Sequence, residues 1–207
     1  MALPRSPHYS VDEYLARERK SVSRHEYLDG QIYDMAGEGL QHSRIYINLA
    51  GEIRSQLKGR ECEALSPNMK VKTGDSGLFS YPDLTVVCGP PAFLDSHKDV
   101  LLNPVVIFEV LSPTTEAYDR GEKFFRYGNF IQSLAEYVLV SQHRPLIEHF
   151  VRQPQGGEWL YSAVEGLSGT LDVRSIECRL DFAEIYSRVD FPSVSEERAQ
   201  VPLPDHY

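Results

Sequence analysis

Two short, nearly unbroken hydrophobic runs dominate the pattern of apolar and polar positions. Residues 81–88 read Tyr-Pro-Asp-Leu-Thr-Val-Val-Cys and end at Gly89-Pro90-Pro91; residues 105–111 read Val-Val-Ile-Phe-Glu-Val-Leu and end at Ser112-Pro113. Their length, β-branched content and flanking turn formers predict buried strands. Ile45, Leu49, Ile53 and Leu57 recur at helical spacing ahead of Gly59, which predicts a helix over 40–58. Ser10 and Glu13 form a capping-box pattern that opens a short helix reaching about Glu18. Asp29-Gly30, between alternating residues in 24–35, predicts a hairpin. Further strands are expected at 62–65, 69–72 and 136–140, with Asp75-Ser76-Gly77 turning the chain into the 81–88 strand. Segments 147–151 and 159–164 flank Gly156-Gly157 as hairpin arms, and 180–189 reads as a short final helix. Strands that are apolar on both faces imply a mixed central sheet flanked by helices, an α/β fold with an additional hairpin region near the C-terminus. The proline-bounded segment 89–104, with His97, Lys98 and Asp99, is a loop long enough to carry substrate selection.

Asp83 and Glu109 interrupt the two buried runs. An unpaired buried charge costs several kcal/mol or takes up a proton, so two such residues on successive strands call for a compensating partner. Along 105–111 side chains alternate. Glu109 therefore shares a face with Ile107 and Leu111, while Val106, Phe108 and Val110 point the other way. Neighbouring strands run about 4.8 Å apart, close enough for the two carboxylates to share a divalent cation and to repel each other without one. Thr114 and Thr115 are suited to cap a following helix, on which Asp119, Lys123 and Tyr127 fall at i, i+4 and i+8 on one face. Two acids, a cation and a lysine are the parts of a phosphodiester-cleaving site. Plainer readings stand beside these. Asp119 and Lys123 can be an ordinary helix ion pair worth about 0.3–0.5 kcal/mol, and Asp83 can cap a turn. His42, at the start of the 40–58 helix, either approaches a substrate phosphate or is simply hydrogen-bonded there. Lys70 and Lys72 share a face, as a solvated edge or as a phosphate contact. No Gly-rich phosphate loop, Cys/His cluster or Gly-x-Ser-x-Gly elbow competes with this site.

Composition narrows the reading. The 207 residues are 42% hydrophobic, which suits one domain over 1–190, with a Pro- and charge-rich tail or dimer arm over 191–207. No apolar stretch approaches the roughly 18 residues of a membrane span, and no signal peptide is evident. Cys62, Cys88 and Cys178 are far apart and form no Cys-x-x-Cys, so they read as buried reduced thiols of a cytoplasmic protein. A net charge of −9 argues against a protein that coats DNA. It leaves room for a nuclease whose bound cations reverse the local field.

The runs Phe108-Glu109-Val110-Leu111-Ser112-Pro113-Thr114-Thr115, Asp119-Arg120-x-x-Lys123-x-x-x-Tyr127 and Glu136-Tyr137-Val138-Leu139-Val140 resemble a bacterial family of putative restriction endonucleases, once classed as a domain of unknown function. Pro82-Asp83 followed by Glu109 inside a strand is similar to the wider PD-(D/E)xK nuclease superfamily, and the similarity covers roughly 10–189. It implies a restriction-endonuclease-like fold, a Mg²⁺- or Mn²⁺-dependent cleavage of DNA and a homodimer that addresses both strands. The superfamily lysine usually stands two residues after the acid, where this chain has Leu111; the resemblance moves that role to Lys123. It also matches Glu26, on the first hairpin arm, to an auxiliary acidic position near the metal; an exposed strand carboxylate is the alternative. The expected site is Asp83, Glu109 and the Val110 carbonyl on the cation, with Lys123 orienting water or stabilising the transition state. Two rivals keep the fold: an inactive binding or regulatory module, and a metal-dependent phosphoesterase acting on a smaller substrate.

Overall fold

The computed structural model describes residues 7–35, 37–74, 77–155 and 157–191. The tail beyond Phe191, the turn residues Asp75 and Ser76, and Gly156 lie outside the described residues. The N-terminal part comprises α1 (Val11–Glu18), β1 (His25–Leu28), β2 (Gln31–Asp34), α2 (Leu40–Leu57), β3 (Cys62–Leu65), β4 (Lys70–Thr73) and β5 (Leu78–Ser80). The middle carries β6 (Leu84–Cys88), β7 (Val100–Leu101), β8 (Val106–Leu111), α3 (Glu116–Tyr118), a π-helical turn (Asp119–Lys123) and α4 (Phe124–Phe130). The rest is β9 (Glu136–Ser141), β10 (Leu146–Arg152), β11 (Trp159–Glu165), β12 (Thr170–Val173), β13 (Cys178–Asp181) and α5 (Phe182–Ile185).

The strands form a mixed six-stranded sheet in the order β11-β10-β9-β8-β6-β3, a five-stranded sheet in the order β2-β1-β5-β4-β7, and the β12-β13 hairpin. In the larger sheet β8 and β9 run parallel, and the other pairs are antiparallel. All of β8 is buried, and its faces divide as alternation predicts. Val106, Phe108 and Val110 meet Ile45, Leu49, Ile53 and Leu57 of α2, with β12, β13 and α5 completing that layer. Ile107 and Leu111 face Tyr127, Ile131 and Leu134, together with Val71 and Leu78 of the smaller sheet. One face is thus covered by α2 with α5 and the β12-β13 hairpin, and the other by a helix plus a second sheet. On the far side of the smaller sheet, Tyr14 and Leu15 of α1 pack on Tyr27, Phe79 and Val100.

Local signals account for much of this. The Ser10–Glu13 capping box is formed in both directions at the start of α1. Asp29 and Gly30 take φ values of 47° and 91°, so a two-residue turn joins β1 to β2 with Leu28 opposite Gln31.

Several expectations are corrected. Residues 78–80 are a separate strand of the smaller sheet, and the chain crosses to the larger sheet through Tyr81-Pro82. Pro82 has no N–H for a ladder, so β6 starts at Leu84 and Asp83 stands just ahead of the strand. The final helix is shorter than 180–189: Cys178 and Leu180 are buried while Arg179 and Asp181 are exposed, a period of two that makes β13. Asp181 then caps α5 through the amide of Ala183. Lys70 is not on a solvated edge, because β4 lies between β5 and β7; it is buried, 3.0 Å from Asp99. The 89–104 loop is tied down by the same Asp99, which also accepts from Arg19 at 2.8 and 3.0 Å. Cys62 and Cys88 are not free thiols: antiparallel pairing of β3 with β6 sets them directly opposite, 3.9 Å apart at Cα, in a disulfide. Cys178 is free and buried. The cysteines therefore no longer argue for a cytoplasmic location. No helix among the described residues is long and apolar enough to cross a membrane.

Candidate active site

The two sheets meet where Tyr81-Pro82 passes between them, and a cavity of about 580 Å³ opens at that seam. The antiparallel register that pairs Leu84 with Phe108 places Asp83 across from Glu109. Asp83 Oδ2 accepts from the Val110 amide at 2.6 Å, and Glu109 Oε2 accepts from the Asp83 amide at 3.4 Å. In a strand the N–H and C=O of one residue point the same way, so the Val110 carbonyl lies on the Asp83 side too. That carbonyl is also approached by the ring of His42.

Lys123 reaches the pair from the π-helical turn, a wider winding that recurs at functional positions in helices. Asp119, Lys123 and Tyr127 are all buried on the face the sequence assigned them. The Lys123 amine sits 3.2 Å from Glu26, 3.3 Å from Glu109 and 3.2 Å from Asp119. Asp119 Oδ1 is out of line for a hydrogen bond despite that approach. Ser80 donates to the Tyr127 hydroxyl at 2.7 Å, and Tyr127 donates to Glu109 at 3.3 Å. Glu26 is not an exposed strand carboxylate: it leaves β1 on the face opposite Tyr27, projects into the cavity and accepts from the Tyr81 amide at 3.3 Å.

Behind this layer, buried Glu18 accepts from the Tyr81 hydroxyl at 2.7 Å and from the His25 amide at 3.0 Å, anchoring the crossover to α1. Burial pushes the Glu109 carboxyl well above its usual range; Lys123 opposes that rise, and Asp119, Asp83 and Glu26 reinforce it. Burial also works against the charge on Lys123, but Glu109, Glu26 and their neighbours outweigh it and keep the amine protonated.

The cavity wall carries Glu26, Asp34, Glu38, Asp83, Glu109 and Asp119 against Arg24 and Lys123, a local excess of negative charge. Hard oxygen donors with surplus charge fit a divalent cation. Glu38, His42 and Asp83 also offer ligand atoms within 4.8 Å of one another. Glu38 was not among the residues expected at the site, and His42 was expected either to approach a substrate phosphate or to be hydrogen-bonded at the helix start. The available signal was position: His42 falls three residues before Ile45, on the buried stripe of α2, and four after Glu38.

The model of the Uma2 family, described as putative restriction endonuclease, matches residues 11–183. The chain belongs to that family. Its relatives include an uncharacterized protein of Synechocystis that is 34% identical over 185 residues, covering 89% of this chain and 95% of that one. A second uncharacterized Synechocystis protein is 29% identical over 160 residues, covering 77% of this chain and 89% of its own. In fold, the Uma2 chain is similar to the crystal structure of a putative nuclease belonging to DUF820 from Anabaena variabilis, with a TM-score of 0.70 at 17% identity, covering 86% of this chain and 98% of that one. The restriction-endonuclease-like fold read from the motifs is therefore this chain's fold.

Proposed function

We propose that this protein is a Mg²⁺- or Mn²⁺-dependent endonuclease that hydrolyses DNA phosphodiester bonds. The observation that carries the reading is the convergence of Asp83, Glu109 and Lys123, from three separate segments, on one acid-rich cavity. Asp83, Glu109 and the Val110 carbonyl are the groups that would hold the cation, and all are oxygen donors. A cation there supplies an acidified water and neutralises charge on the scissile phosphate. The protonated Lys123 amine sets the position of Glu109 and offers a positive charge to a developing phosphorane. Glu26 supports Lys123 from the opposite sheet, and Tyr127 holds Glu109 from behind. With DNA as the substrate, a homodimer addresses both strands and the cytoplasm is the compartment. Residues 1–190 act as one domain.

A smaller phosphodiester is the second reading. The net charge of −9, with Asp34 and Glu38 lining the same cavity, favours a substrate that carries less charge than a duplex. Supercoiled plasmid with Mg²⁺ or Mn²⁺ separates the two. Nicking that disappears in Asp83→Asn and Glu109→Gln supports the endonuclease. Intact plasmid beside cleavage of a chromogenic phosphodiester supports the second reading. Tight DNA binding without cleavage leaves a binding module on a nuclease fold.

A further inference from the structure

We infer that Tyr33 is a stacking surface for a nucleobase beside the scissile phosphate, so that the cavity takes an unpaired stretch of DNA rather than a closed duplex. The inference rests on the proposed nuclease reading for the class of ligand and narrows it.

The β1-β2 hairpin carries the argument. Its register pairs Tyr33 with Glu26. Residues directly opposite in an antiparallel pair send their side chains to the same face, with Cβ atoms about 4.5–5.5 Å apart. The phenol therefore stands next to the carboxylate that lies 3.2 Å from the Lys123 amine. Two residues further along, the Met35 amide donates to the Arg24 carbonyl, so these two extend the same face. Arg24, Glu26, Tyr33 and Met35 all line the cavity.

Among the described residues three tyrosines line that cavity, and two of them are engaged within the protein. The Tyr81 hydroxyl donates to Glu18, and the Lys123 amine lies 5.6 Å from the centre of the Tyr118 ring. Tyr33 has neither a hydrogen bond nor a ring contact among the described residues, and it is 52% exposed on the edge strand of the smaller sheet. Folding gains little from a ring left in water, whereas a nucleobase has a π-face to cover it.

Two arguments make that base an unpaired one. In a closed duplex the bases cover one another, so a ring beside the backbone finds nothing to stack on. Charge points the same way. A duplex carries one negative charge per about 1.7 Å of its axis, and a single strand one per about 3.4 Å. A chain of net charge −9, with Asp34 and Glu38 on the cavity wall, repels the duplex more strongly. Stacking adds affinity that does not depend on charge, and Arg24 on the same face offers the backbone a cation.

Fluorescence anisotropy of a labelled oligodeoxynucleotide, single-stranded or annealed to its complement, tests this on the full-length protein. Ca²⁺ serves the oxygen donors during the titration, and a gel afterwards verifies that the DNA is intact. Expected is tighter binding of the single strand, weakened about 5- to 150-fold by Tyr33→Ala and restored in Tyr33→Phe, with duplex binding indifferent to both changes. The exposed position keeps both variants folded, which a thermal melt checks, and the comparison of the two DNA forms needs only the wild type. Equal or tighter binding of the duplex, no binding of the single strand, or a Tyr33→Ala protein that holds the single strand as tightly as wild type overturns the inference. Plasmid nicking by a protein indifferent to Tyr33→Ala rejects the stacking surface and keeps the hydrolytic reading. Tyr33-dependent binding of the single strand, without cleavage of plasmid or small phosphodiester, upholds the stacking surface and rejects the hydrolytic reading instead.

Discussion

Replacing Lys123 by methionine separates a functional hub from an ordinary helix ion pair by an order of magnitude. An exposed i, i+4 pair such as Asp119–Lys123 contributes about 0.3–0.5 kcal/mol. Here the amine is 6% exposed and has carboxylate oxygens of Glu26, Glu109 and Asp119 at 3.2–3.3 Å. Methionine keeps the length of the stem and leaves those carboxylates facing one another. Removing one partner of a buried ion pair costs about 3–5 kcal/mol; the open side of the cavity admits water, which places the expected loss near the lower figure. The pH dependence has a definite sign. Burial raises the Glu109 carboxyl above its unfolded value, so its contribution is full below the ordinary glutamate range and is lost as pH rises through the folded value. Without Lys123 that value rises further. The stability gap between wild type and variant therefore opens only above the wild-type folded value, which lies well above the ordinary glutamate range, and should be larger at about pH 8 than at about pH 4.5. Urea unfolding followed by circular dichroism across that range, without divalent metal, measures it. Adding Glu109→Gln to Lys123→Met should recover more than half of the loss. A deficit below about 1 kcal/mol that does not change with pH would refute the reasoning and return Lys123 to the role of a surface helix residue.

Other consequences are as direct. The Cys62–Cys88 disulfide spans 26 residues, and the loop-entropy relation gives about 3.5 kcal/mol of stability that a reductant should remove. A thiol count on unreduced, denatured protein should find Cys178 alone, and finding all three cysteines free would contradict the bond. Burial raises the Glu136 carboxyl, but bonds from His149 and the Ser175 amide outweigh it and hold the group below its usual value. Its contribution is therefore present above the unfolded glutamate value and is lost as pH falls through the folded one. Glu136→Gln should cost about 1.5–3 kcal/mol at pH 7 and much less near pH 3, by urea unfolding at both. Ala at Gly30 would need φ of 91° and would place its Cβ 2.2 Å from the His8 ring, so Gly30→Ala should lower stability by at least about 1 kcal/mol, measured by thermal unfolding.

The parts of the fold that were legible in the sequence are those with local causes. The capping box, the Asp-Gly turn, the four-residue spacing of Ile45, Leu49, Ile53 and Leu57, and the alternation along β8 each state their own structure. The division of β8 into an α2 face and an α4 face follows from period two alone. Long-range pairings were not legible. Leu78–Ser80 and the 81–88 run look like one hydrophobic segment, and their assignment to different sheets depends on partners elsewhere in the chain. Cys62 and Cys88 are separated by two strands in sequence, and the register that aligns them belongs to the sheet. Lys70 looked solvent-facing because its partner, Asp99, lies inside a loop with no regular pattern. At the site, Asp83, Glu109 and Lys123 stood out because charge inside apolar periodicity is conspicuous. His42 was legible only as two alternatives, since a histidine near a helix start has many uses, and Glu38 not at all, because it precedes the helix in an irregular segment.

The seam between the sheets gives Lys123 a mechanical role besides its electrostatic one. Glu26 hangs from the smaller sheet and Glu109 from the larger, and a single ammonium group bridges them like a rivet through two plates. Any sliding of one plate over the other must stretch that bridge. Through Tyr81 and Glu18 the same strain passes to the N-terminal helix.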